Sequence, residues 1–182
     1  MAAQPPRLRG FSVLELMITL SVAAVLLALA APSFSGVRLD SERTVAVNAL
    51  IRGIFLARST AFTRRHTVTI CRSPDGQTCS NDLGNWQHGW MVFANLDHDE
   101  PPVRDHNETV LAIQPAWRGG SITSNRHSYS FRPFEHRVVN GTVVFCDRRG
   151  SAEARAVIIN TAGRPRVSKR DSENRPLRCP NG

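Results

Sequence analysis

Residues 7–31 constrain this chain more than any other stretch. Arg7-Leu8-Arg9-Gly10 is a short basic leader ending in glycine, and Phe11-Ser12-Val13-Leu14-Glu15-Leu16 opens an apolar run that continues to Ala31. Glu15 is the one ionisable side chain in that run. As a helix rising ~1.5 Å per residue, the run is about 30 Å long, enough to cross a bilayer core. A carboxylate at that depth costs roughly 2.5–3.5 kcal/mol on insertion scales, so Glu15 needs a compensating charge, and another subunit is the expected source. Two plainer readings compete. Ala28-Leu29-Ala30 fits a small-residue secretory cleavage site. A carboxylate is nevertheless a poor choice inside a secretory apolar region, and the helical pattern continues past Ala30. An uncleaved signal anchor needs neither Gly10 nor Glu15.

Leader, glycine, aromatic, acid and apolar run, in that order, resemble the class III signal of type IV pilins and pseudopilins. The resemblance implies that a prepilin peptidase cuts between Gly10 and Phe11 and methylates the new amino terminus. It also implies that Glu15 pairs with the terminal amine of a neighbouring pilin as the filament assembles. The expected organisation is a leader over 1–10, a membrane-spanning and filament-core helix over 11–34, and a globular head over 35–182. The expected location is the bacterial inner membrane, crossed once with a periplasmic head, and then the pilus filament at the cell surface.

Removal of the leader leaves 172 residues, room for one inserted helix and one modest head. Pro32 ends the apolar run, and inside a long helix it removes a hydrogen bond and introduces a kink, so two helical segments are expected. Beyond it, Val47, Leu50, Ile51, Ile54, Ala57 and Ala61 recur at helical spacing, whereas Arg43, Asn48, Arg52 and Arg58 fall largely elsewhere on the wheel. This predicts an amphipathic helix over 35–64 lying against a core. From Thr67 the period changes. Residues 67–71, 90–93, 109–113, 128–131, 142–146 and 156–159 read as strands separated by Gly, Pro, Asn and Asp. One helix followed by strands alone is an α+β pattern, with the helix covering a sheet and the β-sheet domain occupying 67–182.

Four cysteines, Cys71, Cys79, Cys146 and Cys179, allow three pairings, and no spacing among them suggests zinc. In an exported chain disulfides are favoured over free thiols. Cys71–Cys79 would close the polar loop containing Ser73-Pro74-Asp75-Gly76, and Cys146–Cys179 would tie down a tail with almost no apolar pattern of its own.

The succession of elements resembles the FimT/GspH family of minor pilins and pseudopilins. It runs through Leu56-Ala57-Arg58-Ser59, Thr69-Ile70-Cys71 with Ser73-Pro74-Asp75-Gly76, and Gly89-Trp90-Met91-Val92-Phe93. Later come Cys146-Asp147-Arg148-Arg149-Gly150 and Val157-Ile158-Ile159-Asn160-Thr161-Ala162-Gly163-Arg164. The fold this implies is type IV pilin-like: a long kinked N-terminal helix packed on an antiparallel β-rich head.

Formal net charge is +8, carried almost wholly by arginine, with Lys169 the single lysine. That excess permits a polyanionic partner without requiring one. It concentrates late in the chain, where 147–182 hold nine Lys and Arg against four Asp and Glu. Within this stretch, Arg164 and Arg166 of Gly163-Arg164-Pro165-Arg166 alternate in an extended segment and so project together. Pro165, lacking an amide donor, confines the segment to an edge strand or loop. The string resembles the Gly-Arg-x-Arg element with which FimT-type minor pilins bind DNA in natural transformation. On that resemblance Arg164 and Arg166 contact phosphates of double-stranded DNA, Gly163 permits the turn, and Lys169 and Arg170 add nonspecific attraction. The competing readings are an ordinary solvated basic loop, and a structural tip or type II secretion subunit with no DNA role.

Other constellations carry less. Asp97, Asp99 and Glu100 offer oxygen ligands to calcium but lack EF-hand spacing. Trp86, Trp90 and Trp117 have faces suited to base stacking, although Trp90 sits inside a strand and reads as core. The histidines form no metal pattern, and no phosphate loop or nucleophile elbow occurs. The chain is expected to be no enzyme and to need no metal or cofactor. Its expected partners are other pilins, the prepilin peptidase, the membrane and DNA.

Overall fold

The computed structural model describes residues 10–81, 85–134 and 140–180, with backbone alone at 29–33. Leader residues 1–9 lie outside the described residues. The chain divides into two compact units, Met1–Asp40 and Ser41–Gly182.

Helix α1 spans Val13–Arg64. Helical backbone persists through Pro32, so the two expected segments form one element. The lost donor removes one bond from a ladder that the flanking turns sustain. In the first unit, every side chain from Phe11 to Ala28 is exposed, and Glu15 is the sole ionisable group among them. Two hydroxyls within the helix are satisfied by its own backbone. Thr19 Oγ1 donates to the Leu16 carbonyl at 2.9 Å, and Ser21 Oγ donates to that of Met17 at 2.8 Å. A helix that bonds these hydroxyls to its own backbone and bares an apolar surface broken only by Glu15 among ionisable groups suits a lipid or helix-packed environment.

In the second unit the helix turns one stripe inward. Ala46, Val47, Leu50, Ile54, Ala57 and Ala61 are buried at the expected three- and four-residue spacing. They meet two antiparallel four-stranded sheets. The first has the order β3-β2-β1-β5, built from β1 (Thr67–Arg72), β2 (Trp90–Asn95), β3 (Val110–Gln114) and β5 (Ser128–Phe131). The second has the order β4-β6-β7-β8, built from β4 (Gly120–Ser124), β6 (Gly141–Asp147), β7 (Arg155–Ile159) and β8 (Pro165–Ser168). Val68, Ile70, Trp90, Val92 and Phe131 from the first sheet join Ile122, Val143, Phe145, Val157 and Ile159 from the second in one core under the helix.

Period-two alternation sends the other residues of each strand to the outer faces, and each outer face has its own small apolar cluster closed by a disulfide. On the first sheet, Cys71, Met91 and Phe93 pack with Val110 and Cys79 under the Cys71–Cys79 bond. On the second, Cys146, Ala156 and Ile158 pack with Leu177 and Cys179 under the Cys146–Cys179 bond. Asp75 shapes the first of these loops. Its Oδ1 accepts the amides of Gln77 and Thr78, both at 2.9 Å, and these bonds hold its carboxyl well below the usual carboxylate range.

Strand β4 has no strand pattern in the sequence, and β8 reads there as an edge strand or a loop. β4 contains a single apolar residue, Ile122, and is defined by its pairing with β6. Gly120 is required there because a Cβ would lie 1.9 Å from the Cys146 carbonyl oxygen.

Arg43 is the main departure from the helical wheel. It lies on the buried face, 3% exposed, because its Nη1 reaches Asp147 Oδ2 at 2.9 Å. Periodicity reads a charge as solvated unless its partner is known, and this partner is 104 residues away.

Candidate functional site

The Asn160–Arg164 segment makes the tight connection between β7 and β8. The Gly163 amide donates to the Asn160 carbonyl at 2.8 Å, and the Asn160 amide donates to the Arg164 carbonyl at 3.2 Å. Asn160 Oδ1 accepts the amides of Ala162 and Arg164 at 3.0 and 2.9 Å. This is a three-residue hairpin loop whose last member must be left-handed, and Gly163 has φ +70°. An L side chain there would strain the turn that launches Arg164.

Pairing then fixes where the arginines stand. Arg166 lies opposite Ile158, and Pro165 lies opposite Ile159. Residues opposite one another share a sheet face. Arg166 is therefore on the outer face with Ile158, and Arg164, paired with Asn160 two positions earlier, follows on the same side. Their Cα atoms stand about 6.7 Å apart by strand rise. β8 is an edge strand, and Arg164, Arg166 and Lys169 are exposed. Among the described residues no carboxylate pairs with any of the three.

Arg170 differs. Its Nη1 donates to the Asn174 carbonyl at 2.8 Å, and its backbone bridges to Pro176. It thus helps to build the turn that returns the C-terminal tail over the sheet, while its charge stays exposed. In that turn Asp171 accepts the amides of Glu173 and Arg175 and the Arg175 guanidinium, at 2.9, 2.8 and 2.8 Å. The Arg175 bonds hold the Asp171 carboxyl below its ordinary value. Arg178, farther along the tail, was not singled out in the sequence. A lone arginine in a polar tail carries no pattern, and only its neighbours' burial gives it a direction.

The other candidates have structural employment. Asp99 takes Asn95 Nδ2 on one oxygen at 3.0 Å and the Val103 amide on the other at 2.7 Å, and Asp97 accepts the Asp99 amide. Among the described residues no group of three His, Cys, Asp or Glu is placed to hold a metal. Trp86 and Trp90 are buried, Trp86 against Tyr129 with ring centroids 5.9 Å apart, and neither offers a face to a base. Trp117 is half-buried against Phe145.

Residues 46–163 match the family described as type II transport protein GspH, and residues 6–31 match the prokaryotic N-terminal methylation motif. Among solved structures, two crystal forms of the type IV minor pilin FimU from Pseudomonas aeruginosa (strain PAO1) are similar. The first is 17% identical with a TM-score of 0.52, covering 75% of this chain and 98% of that one. The second is 19% identical with a TM-score of 0.50, covering 80% and 97%. No curated protein matches the chain. At such identities the likeness to FimU is one of fold. The family match ends at Gly163, so Arg164 and Arg166 stand immediately beyond it.

Proposed function

Because the chain belongs to the type II transport protein GspH family and carries the N-terminal methylation motif of pilins, we propose that it is a type IV minor pilin that captures DNA for uptake in natural transformation. The apolar helix anchors it in the inner membrane before assembly, crossing once with the head in the periplasm. Cleavage after Gly10 then exposes the Phe11 amine, and Glu15 pairs with the same amine on a neighbouring subunit. In the finished filament the greasy stretch of α1 is covered by other pilins and the head faces outward. The chain itself performs no bond chemistry.

The observation that carries the DNA reading is the pair Arg164 and Arg166. They lie side by side on one face of an edge hairpin, exposed and without carboxylate partners among the described residues. Guanidinium forks suit phosphate oxygens, and phosphate contacts carry little sequence information, so binding is nonspecific. With Lys169 as a third contact, affinity of the full-length chain in detergent micelles for a labelled duplex should fall with salt at a log–log slope of at least about −2.7, from ~0.9 per phosphate. Arg164→Gln with Arg166→Gln should flatten the slope by about 1.8, a loss of about 60-fold at 0.1 M salt. A folded double variant that binds DNA as the wild type does would overturn the assignment.

A structural tip or secretion subunit is the second reading, favoured by a family match that stops short of the arginines. It expects no salt-dependent DNA binding at all. Both readings share the processing step. Intact-mass analysis of the native protein should find the chain beginning at Phe11 and carrying one added methyl group. A start at Ala31 or an uncut Met1 would remove the pilin anchor from either account.

A further inference from the structure

The C-terminal tail crosses the same outer face that carries Arg164 and Arg166. After the Arg170–Pro176 bridge it lays Leu177 on Ala156 and Ile158 and ends at the Cys146–Cys179 bond. Leu177 and Cys179 are buried, and Arg178 between them is exposed. No acceptor pairs with Arg178 among the described residues. A cleft of about 670 Å³ opens beside the tail, lined by Val144, Asp171, Arg175, Pro176, Leu177 and Arg178. The two acids at this end, Asp171 and Glu173, both bind Arg175, at 2.8 and 2.7 Å. Arg178 is left as the cation at the cleft with no carboxylate of its own.

Register relates this cleft to the arginine hairpin. Val144 pairs with Ala156, which pairs with Ser168, and the next outward row is Thr142, Ile158 and Arg166. Two strand spacings across and two residues along place the Cα atoms of Val144 and Arg166 about 12 Å apart. That is between three and four steps of ~3.4 Å measured along the axis of a duplex.

We propose that this cleft is the continuation of the DNA site, with one phosphodiester backbone running over the outer face from Arg164 and Arg166 to Arg178. This rests on the DNA reading above and adds to it a path and a fourth phosphate contact. The disulfide holds Arg178 in place before DNA arrives, so little ordering is lost on binding.

The test is a salt titration of full-length protein in detergent micelles with a labelled duplex. Four contacts give a wild-type slope near −3.6, and Arg178→Gln brings it to about −2.7 with about eightfold weaker binding at 0.1 M salt. Arg178→Lys, which keeps the charge, should retain the steeper slope. Arg52→Gln is the matched control. Arg52 is also exposed but lines a groove beside β2 and β3 of the other sheet, so its loss should leave the slope unchanged. Wild-type slope and affinity in Arg178→Gln would overturn the path and leave the hairpin site standing. An equal loss in Arg52→Gln would overturn it too, since binding would then follow overall charge. Absence of DNA binding by the wild type would sink the path and the DNA reading together.

Discussion

Asp147→Ala should lower the stability of the head by about 3–5 kcal/mol, the usual cost of stripping a buried ion pair of one member. The Asp147 and Arg43 side chains are 1% and 4% exposed, and the pair joins α1 to the end of β6. Arg149 completes the group, its Nη2 on the same carboxylate oxygen at 2.7 Å and its amide and Nε on the other. Alanine would leave the Arg43 guanidinium buried with the Glu153 carbonyl as a remaining acceptor. Denaturant unfolding followed by tryptophan fluorescence measures the cost, since Trp86 and Trp90 are buried in the same unit. Arg43→Met combined with Asp147→Leu should lose less than Asp147→Ala alone, because the deeply buried guanidinium goes with its partner and Arg149, a quarter exposed, can turn to water. A loss below about 1 kcal/mol for the single variant would show that the pair does not fasten the helix.

The same carboxylate sets a pH dependence. Burial alone would raise the Asp147 pKa, but the Arg149 hydrogen bonds, with the Arg149 and Arg43 charges, outweigh it and hold the value below normal. A depressed folded pKa stabilises the protein above the unfolded value of about 3.9, and that stability is lost as pH falls through the folded value. The gap between wild type and Asp147→Ala should therefore be constant from about pH 5 to neutrality and narrow in stronger acid.

Removing the Cys146–Cys179 bond by paired serine substitution should cost about 3.7 kcal/mol by chain entropy, for its sequence separation of 33 residues. The shorter Cys71–Cys79 loop, with a separation of 8, should cost about 2.5 kcal/mol. The larger loss has a local consequence. Leu177 is the tail's one large apolar anchor besides the bridge, and with the bond gone the cover over Ala156 and Ile158 depends on it alone. Tail amides should then exchange hydrogen much faster than those of β6 and β7. DNA affinity should fall as it does for Arg178→Gln, because the tail no longer presents that arginine. Unchanged tail protection would mean that packing of Leu177 suffices without the bond.

Local pattern carried some of these features and was silent on others. The inward stripe Val47, Leu50, Ile54, Ala57 and Ala61 is a repeat within one helix, readable because a buried face recurs every three or four residues. Six strands were readable because Val, Ile, Phe and Trp cluster between turn residues. β4 was not, because Gly-Ser-Ile-Thr-Ser has a strand's shape only beside β6. β8 was read as an edge strand or loop, and pairing with β7 decided for the strand. Arg43 was assigned to solvent because a wheel weighs each charge alone, and the carboxylate that buries it arrives from β6.

The order of leader, glycine, acid and apolar run determined the kind of molecule this is, since a self-satisfied greasy helix has few environments open to it. Composition and turn residues determined that strands follow. The sides on which the arginines and the tail fall depend on pairing between residues far apart along the chain, and a shift of one position would reverse a whole strand. Tertiary structure alone therefore put Arg164, Arg166 and Arg178 on one face of one sheet.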